Sequence, residues 1–187
     1  MLAQDLLREY KVNNNIKSMI KRERNKFYRK VFKECYLSPN DIEIGTDYFK
    51  IILPYDIIPA SRPQVTKFGT HIAEPYKSFK EYLKQVFIDN IACPIMIEHF
   101  KSSSNRAYKL SMDSVYKIPD GKSMIGMSRL LGTYKICKPD TDNLEKTVGD
   151  ALEQAGIILN DSNIALVHKS KTWGLSYSTE IKLEVIQ

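Results

Sequence analysis

Three cysteines, three histidines and one tryptophan are all that 187 residues provide. Cys35, Cys93 and Cys137 are odd in number, far apart and outside any CxxC spacing. They read as ordinary thiols of a reducing compartment and argue against structural zinc. His71, His99 and His168 are scattered through separate expected elements without ligand spacing. No apolar run is long enough to cross a bilayer, and the first residues, Met1-Leu2-Ala3-Gln4-Asp5, lack the layout of a signal peptide. Internal repeats are missing, and low complexity is confined to Asn13-Asn14-Asn15 and Ser102-Ser103-Ser104. What remains is 43% hydrophobic and 27% charged, the balance of a soluble globular chain with a real core, expected in the cytoplasm with no membrane partner.

Charge is present but unevenly placed. Residues 1–36 hold ten Lys/Arg against four Asp/Glu, a net of +6, which leaves 18 of each sign in residues 37–187. A basic arm on a neutral domain favours an anionic partner, nucleic acid before a membrane surface. The alternative is a solvated, lysine- and arginine-rich helix.

Apolar residues recur at helical spacing through residues 1–36, and Leu37-Ser38-Pro39-Asn40 is a stop. The expected organisation is a basic helical extension over residues 1–45 and one domain over 46–187. Tyr48 to Pro54 reads as a strand, and the Pro/Gly-bearing stretch from Pro59 to Pro75 as an ordered loop or ribbon. Tyr76 to Ile91 is an amphipathic helix with Phe79, Tyr82, Leu83, Val86, Phe87 and Asn90 on its inner stripe. Pro94 to Phe100 is too short for periodicity to decide. Ala107 to Ile118 is a strand with Tyr108, Leu110, Met112, Ser114 and Tyr116 on one face, and Lys122 to Leu131 a short helix. A helix capped by Asp142 or Asn143 runs to about Ala155 and stops at Gly156. Ile164 to Thr172 and Thr179 to Ile186 form two closing strands joined by a turn, with Trp173 and Tyr177 near that hairpin as core or dimer contacts. The fold class is α/β, a mixed sheet packed with helices.

Chemistry concentrates in Lys138-Pro139-Asp140-Thr141-Asp142-Asn143-Leu144-Glu145-Lys146 and in Asn160-Asp161-Ser162. Leu144, Val148, Ala151, Leu152 and Ala155 form the helix's apolar face, while Asn143, Lys146 and Asp150 follow a neighbouring stripe. If Lys138 to Asp142 is extended, Asp140 and Asp142 share a side as the helix begins. The helix N-terminus adds unpaired N–H groups favourable to phosphate, and Ile157-Ile158-Leu159 can fold the chain back to return Asp161. Three carboxylates suit Mg²⁺, with Mn²⁺ an alternative, and the lysine suits a phosphate. An equal reading remains open on chemistry alone: Asp140 and Asp142 as helix caps, Lys146 paired with Asp142 or Asp150, and Asp161 as a turn residue.

The run Lys-Pro-Asp-x-Asp-Asn-Leu-x-Lys, then Asp-Ala-Leu…Gly-Ile, then Asn-Asp-Ser, resembles the RusA family of Holliday-junction resolvases. The likeness is close over Lys138 to Asn163 and looser from Tyr48 to Ile186. It implies a homodimeric, Mg²⁺-dependent endonuclease, of bacterial or phage setting, that makes paired nicks in four-way DNA junctions. Metal-binding roles would fall on Asp140, Asp142 and Asp161, the catalytic lysine on Lys146, and positioning roles on Asn143 and Asp150. Asn160 departs from the pattern, since relatives often carry an acid there. DNA contacts are expected from Arg62 and Lys67 in the Pro59–Pro75 loop, ahead of a simple surface ribbon, and from Lys138; Lys77 and Lys80 (with Lys84) on the next helix read equally as DNA contacts or as a solvated face. Lys122 and Arg129 are further candidates, and Phe68 reads as packing before it reads as a wedge between bases. The basic arm, outside the likeness, would contact DNA or protein. Two other functions compete: a nuclease for flaps or forks, and a junction-binding or regulatory module without turnover.

Overall fold

A computed structural model describes residues 41–66, 69–72, 74–92, 100 and 106–187. The basic extension up to residue 40, Lys67, Phe68 and most of the Pro94–Phe100 stretch lie outside them.

Alternation is the first rule the chain obeys. In the strand Tyr108–Lys117 every second side chain, from Tyr108 through Leu110, Met112 and Ser114 to Tyr116, is buried. The strand Tyr48–Leu53 repeats the pattern with Phe49, Ile51 and Leu53. Such alternation belongs to a sheet packed on one side and wetter on the other. The alternate positions carry ion pairs instead, Lys50 with Glu43 at 2.5 Å and Lys109 with Glu184 at 3.2 Å.

The strands in chain order are β1 (Ile42–Ile44), β2 (Tyr48–Leu53), β3 (Gln64–Thr66), β4 (Gly69–His71), β5 (Tyr108–Lys117), β6 (Ile164–Gly174) and β7 (Ser178–Val185). The helices are α1 (Glu74–Asn90), α2 (Met124–Leu130) and α3 (Thr141–Gln154). The main sheet has the order β1-β2-β7-β5-β6, and β3 and β4 form the separate ribbon expected between Pro59 and Pro75. Among the described strands only β5 and β6 run parallel, which requires the long crossover that holds α2 and α3. β1, inside the stretch assigned to the basic helical extension over residues 1–45, is instead an edge strand paired antiparallel with β2, Ile42 opposite Ile51.

The closing strands are not the hairpin that their short connection suggests. β7 pairs with β2 and β5, and β5 lies between β6 and β7. Leu175, Ser176 and Tyr177 therefore cross the end of β5. At roughly 3.4 Å per residue they just span two strand spacings of about 4.8 Å each. Gly174 makes the crossing feasible: a Cβ there would stand 2.3 Å from Val115 Cγ1.

Helices α1 and α3 close the packed face. Phe79, Leu83 and Phe87 of α1, and Leu144, Val148, Ala151 and Leu152 of α3, join Phe49, Ile51, Leu110, Ile181 and Leu183 in one core. That shared burial, at about 25 cal/mol per Å² of apolar surface, holds α3 on the sheet. Gly156, at φ 75°, ends α3 where expected, because a left-handed residue there costs glycine nothing.

Candidate active site

α3 is capped two or three residues before the expected Asp142 or Asn143. Asp140 is its N-cap, with φ −74° and ψ 138°, and Asp142 already lies in the first turn. The two acids are thus not alternate residues of a strand, and residues 137–139 form a bend. An acid in the first turn is favourable next to the helix dipole, which explains Asp142. Asp140 makes no side-chain cap hydrogen bond, so its exposed carboxylate is left over from the helix start.

The approach to Asp140 is held by two lysines. Residues 132–135 run along the outer edge of β6: Gly132 N–H donates to Trp173 O at 2.9 Å, Trp173 N–H to Thr133 O at 2.9 Å and Lys135 N–H to Lys171 O at 2.8 Å. Lys171 Nζ then donates to Cys137 O at 2.9 Å and to Pro139 O at 2.5 Å. Lys135 Nζ donates to Cys137 O at 3.0 Å and also to Lys138 O. The Lys135 side chain is buried, its ammonium 4.6 Å from the ring centre of Tyr116 and 5.3 Å from that of Trp173. Aromatic faces and carbonyl oxygens together replace the water it gives up. Trp173 is thereby an anchor of the site's approach, and Tyr177 meets Tyr116 edge-on.

From the first turn of α3 an open cleft of about 450 Å³ leads to the chain beyond the helix. Asp142, Glu145, Lys146 and Gly149 line one side, and Asp161, Ser162 and Ile164 the other. Seven helical steps separate Asp142 from Gly149, a run of about 10 Å. Gly149 matters for the width: a Cβ there would meet Asp161 Cβ at 3.8 Å and Ile164 Cδ1 at 3.7 Å. The 3-10 turn Asp161–Asn163 is capped by Asn160, whose side-chain oxygen accepts from Ser162 N–H at 2.9 Å. The departure from the acid of relatives is thus a competent cap, and it leaves the Asp161 carboxylate uncommitted.

Lys146 is exposed and pairs with neither Asp142 nor Asp150; among the described residues Asp140, Lys146 and Asp161 have no side-chain hydrogen bond or ion pair. Asp142 is held instead by a residue that sequence reasoning missed. Lys169, on β6, places Nζ 2.6 Å from Asp142 Oδ1 and 2.5 Å from Glu145 Oε2. The Lys169 hydrogen bond and charge keep the Asp142 carboxyl below its ordinary value. Partial burial works against the charge of Lys169, but the bonds to Asp142 and Glu145 outweigh it and raise its own. One sign was in the sequence: lysines at alternate positions of a strand that faces a helix with an acidic start.

The remaining expected residues divide. Asn143 acts through its backbone: its carbonyl accepts from Ala60 N–H at 2.8 Å, while Thr147 Oγ1 donates to Ile58 O at 3.0 Å. These bonds dock the loop carrying the exposed Arg62 on the start of α3. Asp150 points away from the cleft, accepting from Tyr76 Oη at 2.7 Å and lying 3.9 Å from Lys80. Burial first, then Asp150, raises the Tyr76 phenol. Lys80 also sits 5.4 Å from the Tyr76 ring centre, so it is committed to joining α1 and α3. Lys77, Lys138, Lys122 and Arg129 are solvent-facing.

The cleft's donors are all hard oxygens, and it already accommodates a cation between two carboxylates, which fits a divalent metal such as Mg²⁺. Among the described residues no three His, Cys, Asp or Glu side chains converge into a ready-made ligand cluster. Mg²⁺ commonly takes one or two carboxylates from protein and the rest from water and phosphate, so a spread arrangement is compatible with it. No described helix is long and apolar enough to cross a membrane.

No curated protein matches the chain. Residues 54–184 match the family described as endodeoxyribonuclease RusA, a span that takes in the cleft, both lysine anchors and all but the first two strands. With 131 of 187 residues inside that match, the chain belongs to the RusA endodeoxyribonuclease family.

Proposed function

We propose that this protein is a metal-dependent endonuclease that resolves four-way DNA junctions by paired, symmetric nicks as a homodimer. Family membership supports a junction-resolving endonuclease. The observation that supports the rest is a set of charges without a side-chain partner among the described residues: Asp161 and Lys146 at the cleft and Asp140 at the start of α3.

Asp142 and Asp161, with Asp140 beside the helix start, would hold Mg²⁺ or Mn²⁺. When bound, the metal supplies charge to the scissile phosphate and acidifies a water. Lys146 is placed to neutralise the negative charge that grows on the phosphoryl oxygens or the leaving oxygen. The free N–H groups at the start of α3 favour the same phosphate. Arg62, docked beside that helix start, and the exposed Lys77 and Lys138 would hold the flanking backbone. Symmetric cutting of opposed strands calls for two such clefts related by a twofold axis, hence a homodimer. The net +6 of residues 1–36 would add affinity that weakens as salt rises.

The test is cleavage of synthetic four-way, three-way and linear duplexes with Mg²⁺ or EDTA. Paired nicks confined to the four-way junction, lost with EDTA and with Asp142→Asn, are expected. Tight junction binding with no cleavage by the unmodified protein would overturn the proposal.

A further inference from the structure

By helical spacing, the natural partner of Asp142 is Lys146, four residues on. The protein gives Asp142 a different cation. Lys169 reaches it from the sheet, 27 residues away in sequence, and closes a second short pair with Glu145. Its backbone is fixed in β6 opposite Met112 of β5, and its side chain is only 26% exposed. The ammonium is therefore delivered to one place rather than sampled from solvent. It bridges two of the three carboxylates on the cleft, and among the described residues Lys146 is left unclaimed.

We propose that Lys169 is a tethered counter-cation of the cleft, holding Asp142 and Glu145 together until a divalent metal displaces it, and thereby setting the metal affinity. Glu145 is then a further carboxylate of the site, presented with Asp142 on one side of α3. This rests on the metal-dependent reading above. The physical reason is direct. An ammonium and a divalent cation cannot share the same carboxylate oxygens at contact distance without strong repulsion, so one leaves as the other arrives. Lys169 acts through Asp142 and Glu145 and is a positioning residue.

The experiment is calorimetric titration of Mn²⁺ into the full chain and into Lys169→Met and Lys169→Gln. Removing the competing charge is expected to tighten binding on the order of tenfold, equivalent to one unit on a pKa scale. A residue that merely supported the site would weaken it, so equal or weaker affinity overturns the proposal. Should either variant lose its circular dichroism, the unmodified protein decides by amine acetylation read by mass spectrometry. Saturating Mn²⁺ is expected to raise labelling of Lys169 severalfold against Lys171, which stays on its carbonyls; unchanged labelling overturns the displacement. Equal Mn²⁺ binding by all proteins, with metal-dependent cleavage intact, removes this inference alone. No Mn²⁺ binding by any of them removes the metal-dependent reading as well.

Discussion

The two flanks of α3 treat charge in opposite ways. On the side facing α1, Asp150, Tyr76 and Lys80 satisfy one another and nothing is left over. On the cleft side, Lys146 and Asp161 have no partner among the described residues, and Asp142 is met by a cation from another element. A single helix thus carries a closed polar set that fixes its position and an open one that is available for chemistry. The difference could not come from the helix alone, because Asp142, Lys146 and Asp150 lie within overlapping arcs of it. It comes from what each flank meets: a second helix on one side, an edge strand and a short turn on the other.

The largest effect expected from breaking this contrast is on turnover. Lys146→Ala should lower cleavage by about a hundred- to a thousandfold, the size associated with losing one charge-stabilising group. Its melting temperature and junction affinity should hardly move. A comparable loss in binding would make Lys146 a phosphate anchor instead. Asp150→Ala should show the reverse, a loss of about 1–2 kcal/mol in urea unfolding from the stranded Tyr76 hydroxyl and Lys80, with little change in cleavage per folded molecule.

Gly149→Ala sharpens the comparison from the cleft side. Its Cβ would make ordinary contacts of 3.7 and 3.8 Å, so the helix should gain about 0.5–1 kcal/mol. The same methyl narrows the approach between Lys146 and Asp161, and cleavage should fall severalfold. Stability and activity moving in opposite directions, read by thermal melts and by nicking rate, is the expected outcome; a rise in both would remove Gly149 from the cleft's design.

The smallest effect concerns pH. Asp142 titrates below its ordinary value of 3.8 in the folded protein, so its contribution to stability is in place above that value and is lost as acid lowers the pH through the folded pKa. Urea midpoints measured from pH 6 to pH 2 should fall less steeply for Asp142→Asn than for the unmodified chain. Parallel curves would mean that the Lys169 pair contributes nothing to folding.

Local pattern carried most of the elements. Alternation marked β5 residue by residue, the apolar stripe marked α1 and α3, and Gly156 marked the stop of α3. Non-local order was invisible. Nothing in Leu175-Ser176-Tyr177 says that β5 will separate the strands they join, because sheet neighbours are chosen by packing across the whole face. The site divides the same way. The motif located Asp142, Lys146 and Asp161 on one cleft, but not the hold that Lys169 has on Asp142 and Glu145, 27 and 24 residues earlier. The commitment of Lys80 to Asp150 was equally hidden, since it depends on how α1 lies across α3.

The double suspension of residues 132–139 from β6 has a consequence for how this protein can vary. The Lys135 backbone bond to Lys171 and the Lys171 side-chain bonds to Cys137 and Pro139 lie between the solvent-facing α2 and Asp140, and they bear on β6. Slack or tension introduced upstream ends at those ties. The stretch from Lys122 to Leu131 is therefore expected to tolerate changes of length and surface while the first acid of the motif keeps its place.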